Sequence, residues 1–281
     1  MLALHRIGLI VALLLLGACS STTFVYNRLD IILPWYLGDY VDLTREQKKS
    51  LNSLLQPYLA WHRQEELPLY LEMLDSLESD LGGTLTMADM DATVERFESG
   101  WLRLEARTLD WMLELGEGLS DEQIADFIEV LREQQAEYAE EYLERSDEEY
   151  REEAAESLQD SAEKYLGRLD WGQRTALDTA ANKLQRLDDA WLAERAGWLD
   201  RMEDLLQRQP DWQQGFRQML EQRNQNMQPE YEAIYNHNVT VVKQAIVAVL
   251  NGRSEKQDVR LRKKLAALQK DLATLIEQGN G

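Results

Sequence analysis

The chain of 281 residues holds one cysteine, so no disulfide can close within it and a disulfide framework is excluded. Its 15 glycines and 5 prolines are too few for a collagen-like or Pro/Gly low-complexity chain. Basic residues are scarce beside acidic ones, 30 against 51, for a formal charge of −21. Such a chain opposes phosphate backbones, where Lys and Arg must release counterions, and nucleic acid is not an expected partner. Histidines number three, and no His-Glu-x-x-His, Gly-x-Ser-x-Gly, Gly-rich phosphate loop or Glu-x-x-His pair is present. What is present is 44% hydrophobic residues, enough to build a core.

Long apolar runs are also lacking. The longest, residues 7–18, follows His5 and Arg6 and spans 12 residues. That is short of the roughly 20 needed to cross a bilayer, and suits the apolar part of a signal peptide. Leu16-Gly17-Ala18-Cys19 resembles the lipobox of bacterial lipoproteins, which implies a cleaved signal peptide at 1–18 and a diacylglyceryl and N-acyl modification on Cys19. Such a group anchors the chain through several acyl chains, and no other cofactor is expected. By the same resemblance, Ser20 after the cysteine implies sorting to the outer membrane of a Gram-negative cell, with the body in the periplasm. Residues 19–24 read as a lipidated tether reaching about 14 Å over residues 20–23. Residues 25–281 read as a single all-helical domain. Loss of Arg6 with the signal leaves that body one unit more acidic, so it is repelled by anionic headgroups and depends on its anchor.

Hydrophobic periodicity predicts an all-α fold, an elongated multi-helix bundle of long antiparallel helices in which degenerate helical-hairpin repeats remain possible. Met90, Val94, Phe97, Trp101, Leu104, Thr108, Trp111 and Leu115 form a heptad seam. A second runs at strict sevens through Leu177, Leu184, Trp191, Trp198 and Leu205, and a third through Leu261, Leu265, Leu268, Leu272 and Leu275. Five helix starts share one grammar, a Ser, Thr or Asp cap followed three residues later by Gln or Asp: Thr44 with Gln47, Thr86 with Asp89, Ser120 with Gln123, Asp170 with Gln173, Ser254 with Gln257. Pro210 and Pro229 suit first-turn positions, and Pro68 predicts a break or kink in the helix begun at Arg45. Residues 238–250 are rich in β-branched side chains, yet Ile234, Val241, Val242, Ala245 and Val249 suit a buried helical face.

Tyr26-Asn27-Arg28-Leu29-Asp30 and Trp61-His62-Arg63-Gln64-Glu65-Glu66-Leu67-Pro68 resemble an uncharacterised family of Gram-negative outer-membrane lipoproteins, specifically over residues 19–70 and vaguely beyond. Ile31 stands where relatives often have Trp. The resemblance implies a lipid-anchored helical protein and supplies no catalytic residues.

Trp61, His62, Arg63, Glu65 and Glu66 form a candidate polar pocket, against the blander reading of surface ion pairs with Trp61 in the core. Residues 133–163 carry 13 carboxylates against Arg145 and Arg151, and Tyr138, Tyr142 and Tyr150 mark a thin apolar stripe through them. The expectation is one long helix, with Glu140, Glu144, Glu148 and Glu152 either a solvated face or a landing surface for a cationic partner. The basic stretch Arg253, Lys256, Arg260, Arg262, Lys263, Lys264 and Lys270 is expected to pack across that helix as exposed ion pairs, or to face anionic membrane groups. Phe24, Tyr26, Ile31, Trp35, Tyr36 and Tyr40 suit either bundle packing or a membrane interface. The sequence therefore points to a non-enzymatic, membrane-anchored binding, scaffold or envelope-assembly protein with a possible periplasmic partner. It leaves the oligomeric state open. The alternatives are a carrier or chaperone with an apolar ligand between helices, and a metal-dependent hydrolase using His62 with Glu65 or Glu66.

Overall fold

The computed structural model describes residues 21–279, and every regular element among them is helical. The order is α1 (Ser21–Tyr26), α2 (Leu29–Leu37), α3 (Arg45–Trp61), a π-helical turn (His62–Glu66), α4 (Leu67–Asp80), α5 (Met87–Glu117), α6 (Asp121–Tyr142), α7 (Asp147–Leu166), α8 (Trp171–Ala181), α9 (Asp188–Leu206), α10 (Trp212–Glu221), α11 (Pro229–Asn251) and α12 (Glu255–Gly279). The signal segment and Cys19 lie outside the described residues. The expected tether is already helical from Ser21, because Tyr26 packs into the main core and draws α1 against α12.

All five sequence-read caps form. Thr44, Thr86, Ser120 and Asp170 each accept the backbone N–H three residues on, whose own side chain returns a bond to the cap backbone. Ser254 and Gln257 do the same at α12. Residues 238–250 are helical within α11, burying Val241, Ala245 and Val249 along with Tyr231. Ahead of Pro68 the α-helix is interrupted by the π turn, and the route is specific. The Pro68 ring supplies no N–H to the preceding turn, and the Leu67 amide instead reaches back five residues to the His62 carbonyl.

Three expectations are corrected. The acidic segment is not one helix: α6 ends at Tyr142 and α7 begins after Ser146, whose capping box with Glu149 starts a new helix. The second heptad seam is not continuous either, since α8 stops at Ala181 and α9 starts at Asp188. The break is held from outside the segment. The Asn238 amide donates to the Gln185 carbonyl at 2.8 Å and its oxygen accepts the Gln185 N–H at 2.9 Å, while a His237 ring nitrogen lies 2.9 Å from the Lys183 carbonyl. Finally, Pro210 precedes its helix rather than opening it, because Asp211, in a left-handed conformation at φ 66°, is the residue before α10.

The helical-hairpin repeat takes a definite form, in which one packing plan occurs twice. α2 lies on α3 as α7 lies on α8, and α3 packs on α5 as α8 packs on α11. α4 packs on α5 and α12, while α9 packs on α11 and α6. α5 and α11 meet at the centre. The same glutamine joint marks each half. Gln47 and Gln123, both from capping boxes, exchange side-chain bonds at 2.8 and 2.9 Å, and their spare amide hydrogens reach the carbonyls of Gly118 and Asp42. Gln173 and Gln257 exchange bonds at 3.1 and 2.9 Å and reach Val249 and Arg168. Each half also breaks its first long arm at a buried carboxylate, Glu66 in the π turn and Asp188 at the start of α9.

The cores follow this plan. The largest gathers Leu67, Leu74, Leu166, Leu177, Val249, Leu261 and Leu275 from α4, α7, α8, α11 and α12. Smaller cores join α3 to α5 through Leu51, Leu55 and Trp111, and α5, α6, α9 and α10 through Leu113, Ile128, Leu199 and Phe216.

Candidate functional site

The π turn gathers the sequence-predicted pocket residues and then separates them. Glu66 is buried at 2% exposure and receives both Nε and Nη2 of Arg103 from α5, at 2.7 and 3.1 Å. Glu65, its neighbour, is exposed. The Arg63 guanidinium lies 5.1 Å over the Tyr26 ring and donates to the Asn27 side-chain oxygen at 2.8 Å. Trp61 faces Arg107 at 5.2 Å. Glu65 thus faces solvent, whereas Trp61, His62, Arg63 and Glu66 each meet different partners around the turn.

His62 occupies an aromatic surround. Its ring centre is 5.6 Å from those of Tyr26 and Tyr70, 6.2 Å from that of Trp61 and 6.4 Å from that of Tyr58, and its Nδ1 is 2.8 Å from the Tyr26 hydroxyl. Burial, with a smaller push from Arg63, lowers the His62 pKa to about 4, so the imidazole is neutral at pH 7. Burial raises the Tyr26 phenol to about 12 and lifts Tyr58 and Tyr70 as well. The cluster is therefore uncharged except for Glu66 and the arginines that meet it. Chemically it can hold α1 against the π turn. Among the described residues, no group of three or more His, Cys, Asp or Glu side chains forms a metal site.

The acidic face does not form as expected. Glu140 lies on α6, Glu144 in the connection, and Glu148 and Glu152 on α7, all exposed. Between those helices lies a site that the sequence reading missed. Asp188, 3% exposed, accepts Tyr138 at 2.9 Å, Arg145 at 3.0 and 3.1 Å and Arg186 at 2.9 Å. The Arg145 guanidinium sits 4.8 Å from the ring centres of both Tyr142 and Tyr150. The legible signal was Arg145 within a tyrosine stripe; its partner 43 residues on was not.

The basic stretch packs across α7, but without the expected exchange of ion pairs with it. Arg262 and, from the connection before α12, Arg253 pair with Asp258 of α12 and cap the Leu81 carbonyl, and Lys264 lies 5.4 Å over the Tyr165 ring. Like charges within α12 would otherwise repel, so Asp258 relieves them locally.

The aromatic segment divides by face. On α2, Leu33 and Leu37 pack towards Val41, Leu51 and Leu55, whereas Ile31, Trp35 and Tyr36 turn outward. A groove of about 170 Å³ separates α5 from α11, lined by Met90, Val94, Phe97, Trp101, Val239 and Ile246 among others.

No curated protein and no solved structure matches this chain. One family model covers residues 39–232, which takes in residues 61–68, leaves residues 26–30 outside, and runs far past residue 70, where the sequence likeness seemed to fade. That model describes a family of unknown function (DUF6279), and because the match spans more than half of the chain, the protein belongs to this family.

Proposed function

We propose that the protein is a lipid-anchored helical lipoprotein on the periplasmic side of an outer membrane, acting without catalysis as a binding or scaffold component of the envelope. The carrying observation is the sequence Leu16-Gly17-Ala18-Cys19, with the chain's sole cysteine placed directly after a short apolar run. The arrangement of the polar clusters supports a scaffold. Glu66, His62 and Asp188 each meet partners from another part of the chain, and those bonds hold helices in place.

The test is labelling with a fatty-acid precursor in cells making the wild-type chain or Cys19→Ala, followed by membrane fractionation. Labelled, membrane-bound wild type beside an unlabelled variant is expected. An unlabelled wild type recovered in the soluble fraction overturns the reading.

A further inference from the structure

α2 is unusual for a helix on a protein surface. Its nine residues, Leu29-Asp30-Ile31-Ile32-Leu33-Pro34-Trp35-Tyr36-Leu37, contain one charge, so it is apolar nearly all round, yet none of its residues is buried. Helices of that composition normally lie inside proteins or lipid. Leu33 and Leu37, one turn apart, account for the inward side. The outward side carries Ile31 and Trp35, also one turn apart, at 56% and 70% exposure, with Tyr36 at 51% and Phe24 of α1 at 63%. The Arg28 guanidinium lies 5.5 Å over the Phe24 ring, a cation at the edge of the apolar patch.

Position along the chain says what covers this side. Phe24 follows Cys19 by five residues, a span of at most about 18 Å. A bilayer holding acyl chains on Cys19 therefore lies within reach of α1 and α2 before any other helix. Aromatic rings and an arginine bordering an aliphatic face are the composition of the headgroup–acyl boundary. The acidic body disfavours an anionic surface, so the fitting partner is a zwitterionic one.

We propose that Phe24, Ile31, Trp35 and Tyr36 dip into the bilayer interface, so that α1 and α2 lie along the membrane and set the orientation of the bundle upon it. The proposal rests on the anchor reading for its geometry, and it has its own test. In the mature chain Cys19 is consumed by lipid, so Trp35→Cys, Ile31→Cys and the control Trp171→Cys each supply one free thiol for a polarity-sensitive fluorophore. Trp171 is 83% exposed and belongs to α8. The full chain, purified from membranes, is mixed with excess phosphatidylcholine vesicles carrying a spin-labelled lipid, and mass spectrometry reports its lipidation.

The expected result is a blue shift and at least twofold quenching at positions 31 and 35, with position 171 unchanged. A lipidated chain whose labels at 31 and 35 stay as water-exposed as that at 171 overturns the proposal and leaves the anchor standing. If mass spectrometry finds no lipid, Cys19 is a second thiol, so the same variants are remade with Cys19→Ser; quenching there at 31 and 35 but not at 171 upholds the membrane contact without the anchor, and its absence overturns the proposal. A blue shift at 35 that grows with protein concentration without vesicles identifies a second copy as the occupant and overturns the proposal.

Discussion

His62 shows how one side chain ties a local π turn to solution behaviour. The folded chain holds its pKa near 4 against 6.5 for the free side chain. Between those values the unfolded chain binds a proton that the folded chain refuses. The contribution is therefore complete above about pH 6.5 and lost as pH falls through about 4, by on the order of 3 kcal/mol. Denaturant unfolding from about pH 7 to about pH 4 should show a shallower decline for His62→Gln than for wild type. Equal declines would mean that His62 titrates freely. Asp188 makes a different case, a buried carboxylate met on all sides by donors. Two arginines and a tyrosine satisfy it, so Asp188→Ala leaves Arg145, which is 14% exposed, with Glu153 as its remaining acidic partner and removes the bonds to Arg186 and Tyr138, and should cost about 3 kcal/mol. Asp189, adjacent and exposed, is the control: Asp189→Ala should change the urea midpoint little. A small effect at Asp188 would show that the cluster opens to water.

Helix starts are the best-determined elements, and four of them do a second job. A capping-box glutamine satisfies its own helix end with its oxygen and has amide hydrogens left over. Pairing two such glutamines uses those hydrogens and binds two helix ends together. The pair Gln173 and Gln257 is buried at 3% and 6% exposure, so truncating either leaves the other with unmet bonds, at about 1–3 kcal/mol. The Gln173→Ala, Gln257→Ala double variant should cost less than the sum of the singles, with a coupling of about 0.5–3 kcal/mol in unfolding experiments. Strict additivity would show that the joint carries no energy of its own. The more exposed pair, Gln47 and Gln123, should couple more weakly. Element ends were harder to read wherever their cause lay elsewhere. Within residues 182–187 the only local stop signal is Asn182, which donates to the Asp178 carbonyl, and Asn238 and His237 hold the break from α11. The stop between α6 and α7 was legible in Ser146 and Glu149, but the charge run around them drew attention to a face instead of a cap.

Across the whole molecule, the two halves exchange helices: α4 of the first rests on α12 of the second, and α9 of the second on α6 of the first. Each half then leaves part of its apolar surface to be covered by the other. Fragments 21–144 and 145–281 should each show reduced helicity alone and regain it when mixed, as read by circular dichroism. A fully helical, cooperatively melting fragment would refute the interlock. The full chain carries a formal charge of −21, and repulsion acts over the Debye length, about 10 Å at 0.1 M salt. Thermal midpoints should therefore rise between very low and moderate ionic strength. A falling midpoint would show that ion pairs such as Arg132 with Asp200 outweigh the repulsion.

By itself the sequence determined the helical class, five helix starts, the interruption near Pro68 and the short apolar run before Cys19. Each depends on residues within one or two turns of each other, where spacing and capping chemistry suffice. Tertiary structure decided the break before α9, the partners of Glu66 and Asp188, the glutamine joints and the outward side of α2. The break, the pairs Glu66 with Arg103 and Asp188 with Arg145, and the joints depend on groups 37 or more residues apart along the chain, meeting only once the helices pack, and a buried carboxylate or bare amide accepts whatever partner the packing brings.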